Sequence, residues 1–564
     1  MRKIGKLVAL LLGGTSLMCA GSCARSEETG FTADPSKTQI YIGIYDGGYG
    51  QEWVKTIAKK FEEENAETVF EDGKKGIQVQ PSVSKVYALD QVTYRLSDQI
   101  DDICFIEQAN YYNLINANAI KDITEWVTTP LTEYGENESI QDKMDKTDKN
   151  YYGQDEVRPQ YYGLPWYFSM MTINYDVQLF EDNNFYFAAP GEKCDKDGFV
   201  LNKDTKRSAG PDNEFDTIDD GQPATYDDFF KLCDKIVETG MVPMIWAGGV
   251  QNYVNYMLAT LAADVEGFDN MSLNYTYDGN AVNSLVTKIE NGIAQCEESL
   301  AITAHNGYEL RRQKGLYYGL QFLHRLITTK GADGNPKYYT YNDCFSNSMS
   351  HKSAQSKFLR SNYTTSIDSI AMMIDGTWWY NEASATFNSM ASQSGASKQD
   401  RKIGIMSMPK TDASQLGNET TLMQAWSTCC VVRKGSDESK NKAVRAFYRY
   451  LHTDESLSAF ATDACGVRPF SFDLTASAKL PLYVKQQFEL YQKCRTVKPY
   501  ANNPICKSYL SEIHANVNTI VDGVSYNLIT TAFNEGVSAE KYFNGLATYT
   551  NENSWKKYVT GIQG

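Results

Sequence analysis

From about residue 38 onward the chain alternates between short apolar runs and longer amphipathic stretches. Gln39-Ile40-Tyr41-Ile42-Gly43-Ile44-Tyr45 reads as an apolar strand, and Asp46-Gly47-Gly48-Tyr49-Gly50 as a glycine-rich turn. Trp53, Ile57, Ala58 and Phe61 share one face at helical spacing, predicting a helix over 53–64. Ile77 to Val83 alternates as a second strand. Asp101 to Ile106 is a third apolar strand, followed by the polar Glu107-Gln108-Ala109-Asn110. Strands alternating with helices predict a mainly parallel sheet with helices on both faces. In such sheets ligands sit beyond the carboxyl ends of strands. That rule nominates Tyr45 to Tyr49 and Glu107 to Asn110.

Residues 130–160 are polar and read as an exposed insertion. Leu164-Pro165-Trp166-Tyr167-Phe168, then Met170 to Tyr175, reads as the start of an extended strand. Residues 190–223 form a Gly-, Asp- and Lys-rich loop. Tyr226 to Val237 reads as a helix with Thr225 as its N-cap. Met244 to Gly249 is a strand and turn, and 285–365 has mostly helical patterns. Ile370 to Gly376 is a buried strand with Trp378 and Trp379 just beyond it. Ile403 to Pro409 and Cys429 to Val432 are further strands. Ala443 to Leu451 is an amphipathic helix, and 480–564 is mostly helical.

Several bulk features narrow the picture. At 564 residues the chain is too long for one core, so at least two domains are expected. A formal net charge of −16 excludes the basic footprint that nucleic-acid binding needs. The 38 tyrosines suit large cores, and also surfaces that stack on planar or sugar faces while keeping a polar tip. At the N-terminus, Arg2, Lys3 and Lys6 precede the apolar run Leu7 to Leu12, and Ala20-Gly21-Ser22-Cys23 follows. This pattern is a secretory leader over 1–22. Its small residues before a cysteine resemble a bacterial lipobox, implying cleavage before Cys23, lipidation of that thiol and a polar tether over 23–37. The chain is then expected outside the cytoplasm, held to the membrane by its lipid alone. Ten further cysteines show no CxxC spacing, so zinc ribbons and thioredoxin chemistry lack support. Export permits disulfides, while Cys104 and Cys429 lie in apolar runs that suit small buried hydrophobes.

The order of these pieces resembles the extracellular solute-binding proteins of ATP-driven importers, the maltose-binding-protein type. Tyr162-Gly163-Leu164-Pro165 and Ile173 to Phe180 look like one family segment. Ala371-Met372-Met373-Ile374-Asp375-Gly376-Thr377-Trp378 looks like another. Ile403 to Pro409, Ala443 to Leu451 and Gly466-Val467-Arg468-Pro469 look like three more. The resemblance implies an α/β, two-lobed periplasmic-binding-protein-like fold (type II), with a ligand cleft between lobes joined by crossing strands. Lobe I is expected over 38–167 with 428–465, and lobe II over 172–420 with 470–564. It further implies capture of an oligosaccharide by a monomer that closes about its hinge and docks on a permease driven by ATPase subunits.

A sugar presents hydroxyls to hydrogen-bond and CH faces to stack on. By resemblance and position, the candidate binding residues are Trp378, Trp379, Trp166, Tyr167, Trp246 and Trp426, with Tyr49, Glu107, Gln108, Asp375 and Arg468 as polar partners. The competing roles are core packing for the tryptophans, turn capping for Asp375 and an interlobe ion pair for Arg468. Asp212, Asp216, Asp219 and Asp220 crowd one Gly-bearing loop. They are candidate ligands for a structural Ca²⁺, against a plain solvated acidic loop; no other cofactor is expected. With five histidines and no HExxH, GxSxG or GxxxxGK[ST], catalysis lacks a motif. Three readings compete with the sugar receptor. One is a surface glycoside hydrolase using Glu107 and Asp375, which needs the pair about 5–10 Å apart. The others are a helical-repeat glycan-gathering lipoprotein, and a receptor for peptides or other solutes.

Overall fold

The computed structural model describes residues 32–563, apart from 89–90, 109, 156, 333, 335–336, 364–367, 395–397, 399–400, 436, 474–479 and 509–516. The leader, Cys23 and the start of the tether lie outside the described residues. Among them, no helix is long and apolar enough to cross a membrane.

Nine strands build two sheets: β1 (Thr38–Tyr45), β2 (Ile77–Ser84), β3 (Ile103–Glu107), β4 (Gly163–Leu164), β5 (Met171–Asp176), β6 (Val242–Ile245), β7 (Ile370–Gly376), β8 (Ile403–Met406) and β9 (Thr428–Val432). The first sheet runs β2-β1-β3-β9-β4 and the second β8-β5-β7-β6. In the first, β1 pairs parallel with β2 and β3, while β9 pairs antiparallel with β3, setting Thr428 opposite Glu107. In the second, β7 pairs antiparallel with β5 and parallel with β6. β3, β5, β7 and β9 are buried along their whole length because helices cover both faces, which is why they read as unbroken apolar runs. A mixed α/β chain with two separate sheets does not fit a helical-repeat array.

The expected helices form for the expected reasons. Glu52–Glu64 buries Trp53, Val54, Ile57, Ala58 and Phe61 on one face. Tyr226–Glu238 starts with a reciprocal capping box between Thr225 and Asp228. Two expectations need correcting. Residues 285–365 are not mostly helical: three short strands, 286–290, 293–296 and 299–302, precede the helices Lys314–Thr328 and His351–Arg360, and the last of them pairs with 279–282 just upstream. Residues 130–160 are not simply an exposed insertion either. Tyr151 and Tyr152 are buried and ring-packed against Tyr111 and Tyr112.

The chain passes between the sheets three times. Residues 165–170 link β4 to β5, and 424–427 lead into β9. The third passage, near Val467, is hydrogen-bonded to the first: Phe168 N donates to Val467 O at 2.8 Å. Ala425 N likewise donates to Ser169 O at 2.8 Å. A later segment, Cys494 to Ser508, runs between elements of both lobes as a largely buried strap. Its Arg495–Val497 strand pairs with Thr421–Met423. Lys498 then reaches the Asp145 and Asp148 carboxylates, and Asn503 Nδ2 donates to Tyr275 O at 2.6 Å. The tail is therefore anchored on elements of both lobes and does not belong to lobe II alone.

Candidate functional site

The two sheets meet at a seam built from their strand ends. From the first come Tyr45 at the end of β1, the turn Gly47-Gly48-Tyr49, Glu107 at the end of β3, and Tyr167 on the first crossing. From the second come Asp375, Thr377 and Trp378 beyond β7, Asn381 and Glu382 in the next helical turn, and Trp426 on the second crossing. Tyr253 and Tyr256 join them from the long helix Asn252–Thr276. Trp426 Nε1 donates to the Tyr167 hydroxyl at 2.7 Å, and that hydroxyl donates to Glu107 Oε1. The Trp378 and Trp426 rings lie 4.4 Å apart at 38°. Tyr253 stands edge-on to Trp378 at 5.8 Å, and Tyr256 to Trp426 at 5.7 Å. The result is a four-ring aromatic wall from the second lobe facing hydroxyl and carboxyl groups of the first.

The lobes touch across this seam. Asn381 Nδ2 donates to the carbonyls of Gly48 and Tyr49, each at 3.0 Å. The Tyr49 hydroxyl lies 3.5 Å from Thr377 Oγ1. Gly48 is required here, because a Cβ on it would come within 2.7 Å of Trp378 Cβ. Gly376 is required for the same reason, its missing side chain leaving room for the Trp378 ring.

Electrostatics at the seam is dominated by burial. Glu107 is pushed up to about 8, chiefly by burial, against the hydrogen bond from Tyr167. Burial, then the neighbouring Glu382 charge, holds Asp375 well above the usual carboxylate value, although Gln355 Nε2 and the Gly376 N–H donate to it. Burial also pulls Glu382 upward, but hydrogen bonds from His351 and Gln355 outweigh it and hold that carboxyl below its ordinary value. Flat rings beside fixed donors and acceptors can stack a sugar ring and orient its hydroxyls.

No protein-family model matches the chain, and no curated protein matches it. Solved structures do. A chitin oligosaccharide binding protein superposes with a TM-score of 0.55 at 14% identity, over 93% of this chain and 100% of that one. The GacH receptor of Streptomyces glaucescens gives 0.51 at 11%, over 93% and 99%. RafE of Streptococcus pneumoniae gives 0.50 at 14%, over 93% and 100%. The fold is that of the two-lobed solute-binding proteins.

On this binding-protein fold the sequence-nominated residues separate into two groups. Trp378, Trp426, Tyr167, Tyr49, Glu107 and Asp375 meet at the seam. Gln108 lies next to it, its backbone turned into the left-handed region (φ 53°) with its N–H on Ser427 O at 2.9 Å. Trp166, Trp246, Trp379 and Arg468 are corrected to interior positions. Trp166 packs against Phe105, Trp246 against Phe345, and Trp379 among Phe358, Phe387 and Tyr483. Among the described residues Arg468 makes no interlobe ion pair. Its guanidinium donates to the carbonyls of Trp166 and Leu451 and hydrogen-bonds the buried His452 ring. Burial lowers it to about 10.

Tyr253, Tyr256, Asn381, Glu382 and Gln355 were missed. The signal for the tyrosines was present: they sit three apart at the start of a helix, right after the Gly248-Gly249 turn, and so share a face. In the acidic loop, Asp219 accepts from Asp212 N and Thr217 Oγ1, and Asp220 from Asp216 N. Its carboxylates thus brace the loop's own backbone, and among the described residues no three His, Cys, Asp or Glu side chains converge as a metal cluster.

Proposed function

We propose that the chain is the substrate-binding lipoprotein of an ATP-driven importer. It captures an oligosaccharide between its lobes and delivers it, unaltered, to a membrane permease. The observation that carries this reading is the wall of Trp378, Trp426, Tyr253 and Tyr256 facing Tyr167 and Glu107 across a seam that only lobe movement can open. The fold supports it, since RafE is described with raffinose and GacH with acarbose. In this reading Cys23 carries the lipid, the receptor works as an extracytoplasmic monomer, and ATP hydrolysis belongs to partner subunits. Ligand touching both lobes favours the closed form by its higher affinity for that form.

The seam offers little to the hydrolase alternative. Glu107 and Asp375 are both buried and held by Tyr167, Gln355 and Gly376 donors. The test is a thermal-shift screen of the chain without its leader against mono- and oligosaccharides. A ligand at one hundred times its Kd raises stability by ~2.7 kcal/mol. An upward shift in one sugar series, with the sugar recovered intact, supports the receptor. Cleavage products would overturn it in favour of the hydrolase, and shifts with peptides alone would replace the ligand class.

A further inference from the structure

The arrangement of the four rings fixes the size of the wall. Tyr253 and Tyr256 sit three apart on one helix and so stand side by side. Tyr253 meets Trp378 at 5.8 Å, Trp378 meets Trp426 at 4.4 Å, and Trp426 meets Tyr256 at 5.7 Å. These contacts close into a four-cornered block and do not extend into a rail. Trp378 and Trp426 also lean on each other at 38°, so no sugar ring enters between them. What remains is a patch about two aromatic rings across, which a mono- or disaccharide covers.

The seam is also stopped on both flanks. In the first sheet, the order β2-β1-β3-β9-β4 puts Glu107, at the end of β3, between the turn that follows β1 and the residues that reach β4. On the β1 flank the lobes touch directly: Gly48 sits against Trp378, and Asn381 Nδ2 holds the Gly48 and Tyr49 carbonyls at 3.0 Å each. On the β4 flank stands Asn110, buried and just beyond Glu107 in the chain. Its neighbour Tyr111 reaches Tyr162 beside β4, the Tyr111 hydroxyl accepting from Tyr162 N at 2.8 Å. Asn110 Nδ2 donates to Lys507 O at 3.2 Å, so the strap spans this flank. A little earlier the strap is fastened to the second lobe, where Asn503 Nδ2 donates to Tyr275 O. At the hinge, Trp426 Nε1 on the Tyr167 hydroxyl joins two of the crossings.

We propose that the ligand of the seam is short, a mono- or disaccharide held wholly between the two flanks, and that longer chains are rejected by the Asn381–Gly48 contact on one side and by the strap on the other. This rests on the seam being the binding site, and it selects the short end of the oligosaccharide range. A chain threading the seam would have to break one of these contacts in every bound complex. Longer sugars would therefore forfeit bonds that shorter ones keep.

The experiment is calorimetric titration of the chain without its leader against four ladders of sugars: glucose to maltopentaose, xylose to xylopentaose, N-acetylglucosamine to its pentamer, and galactose through melibiose, raffinose and stachyose to verbascose. In any ladder that binds, affinity is expected to peak at one or two rings and to fall at least about tenfold by four. Asn110→Asp keeps the oxygen that caps the following helix and loses the donor to Lys507 O. It should narrow the gap between two and four rings several-fold. Because that gap is a ratio within one variant, a general loss of stability would leave it unmoved. Equal or tighter binding at four or five rings overturns the short ligand while leaving the sugar receptor standing. An unchanged ratio in Asn110→Asp overturns the strap as the stop. Binding in none of the ladders overturns the short sugar, and the wider thermal-shift screen then decides the receptor reading separately.

Discussion

Two regions hold the lobes together, and they are built from different chemistry. At the front seam the bonds between lobes are neutral: an Asn381 amide on two carbonyls, a Tyr49 hydroxyl near Thr377, and the Trp378 ring over Gly48. Each such hydrogen bond nets about 1 kcal/mol, because water replaces it on opening. At the back, the strap uses buried charge. Lys498 and Asp148 have side chains 1% and 0% exposed, and Asp145 joins the pair from the same helix. The Tyr500 hydroxyl donates to Asp148 at 2.6 Å, and Asn502 Nδ2 to Gln154 O at 2.6 Å. Parting these groups would strand charges in a dry interior. On the proposed receptor reading, the contrast teaches where the molecule would move: the seam would part and close, and the strap would stay fastened.

Four measurements would break or sharpen that contrast. Lys498→Met should cost the most, about 3–5 kcal/mol, since it leaves the buried Asp148 carboxylate without its cation; the urea midpoint reads it. If the loss is under about 1 kcal/mol, the back is no firmer than the front. Trp378→Ala should weaken ligand binding by about 2–3 kcal/mol beyond what it costs the ligand-free chain in its urea midpoint, and titration beside the urea melt separates the two effects. Glu107→Gln addresses pH. The folded value of Glu107 is raised to about 8, above its ordinary 4.5, so folding takes up a proton between those values. Its contribution is therefore present in full below about 4.5 and is lost as pH rises through 8. The parent should lose roughly 2 kcal/mol across that window after water enters the seam, and the glutamine variant should not; melts from pH 5 to 9 test this. Asn381→Ala removes bonds made only when the lobes touch. It should lower ligand affinity by about 1 kcal/mol and raise the ligand-free radius of gyration in small-angle scattering.

Much of this was legible in the chain. The strands announced themselves as apolar runs, and the Gly376-Thr377-Trp378 turn as a strand end, which the structure sets at the seam between the sheets. What the pattern could not separate was Trp378 from Trp379. Neighbouring residues after a turn point in different directions, and only packing against Phe358 and Tyr483 shows that the second faces the core. Trp166 and Trp246 misled for a related reason: when both faces of a sheet are covered, the residues at a strand's end can be as buried as those in its middle. Glu382 and Gln355 were invisible because their importance comes from a bridge between helical segments 27 residues apart. The strap was hidden too, since the partners of Lys498 and Asn503, Asp148 and Tyr275, lie far upstream in the chain.

One further consequence lies in the sulfur atoms. All ten cysteines among the described residues are free thiols; seven are buried, Cys296 and Cys494 are half-covered, and Cys194 is exposed. Among the described residues, packing and hydrogen bonds hold the architecture without a disulfide. Cys194 offers a natural attachment point for a dye on the second lobe, and a second label placed on the first would turn lobe closure into an optical signal.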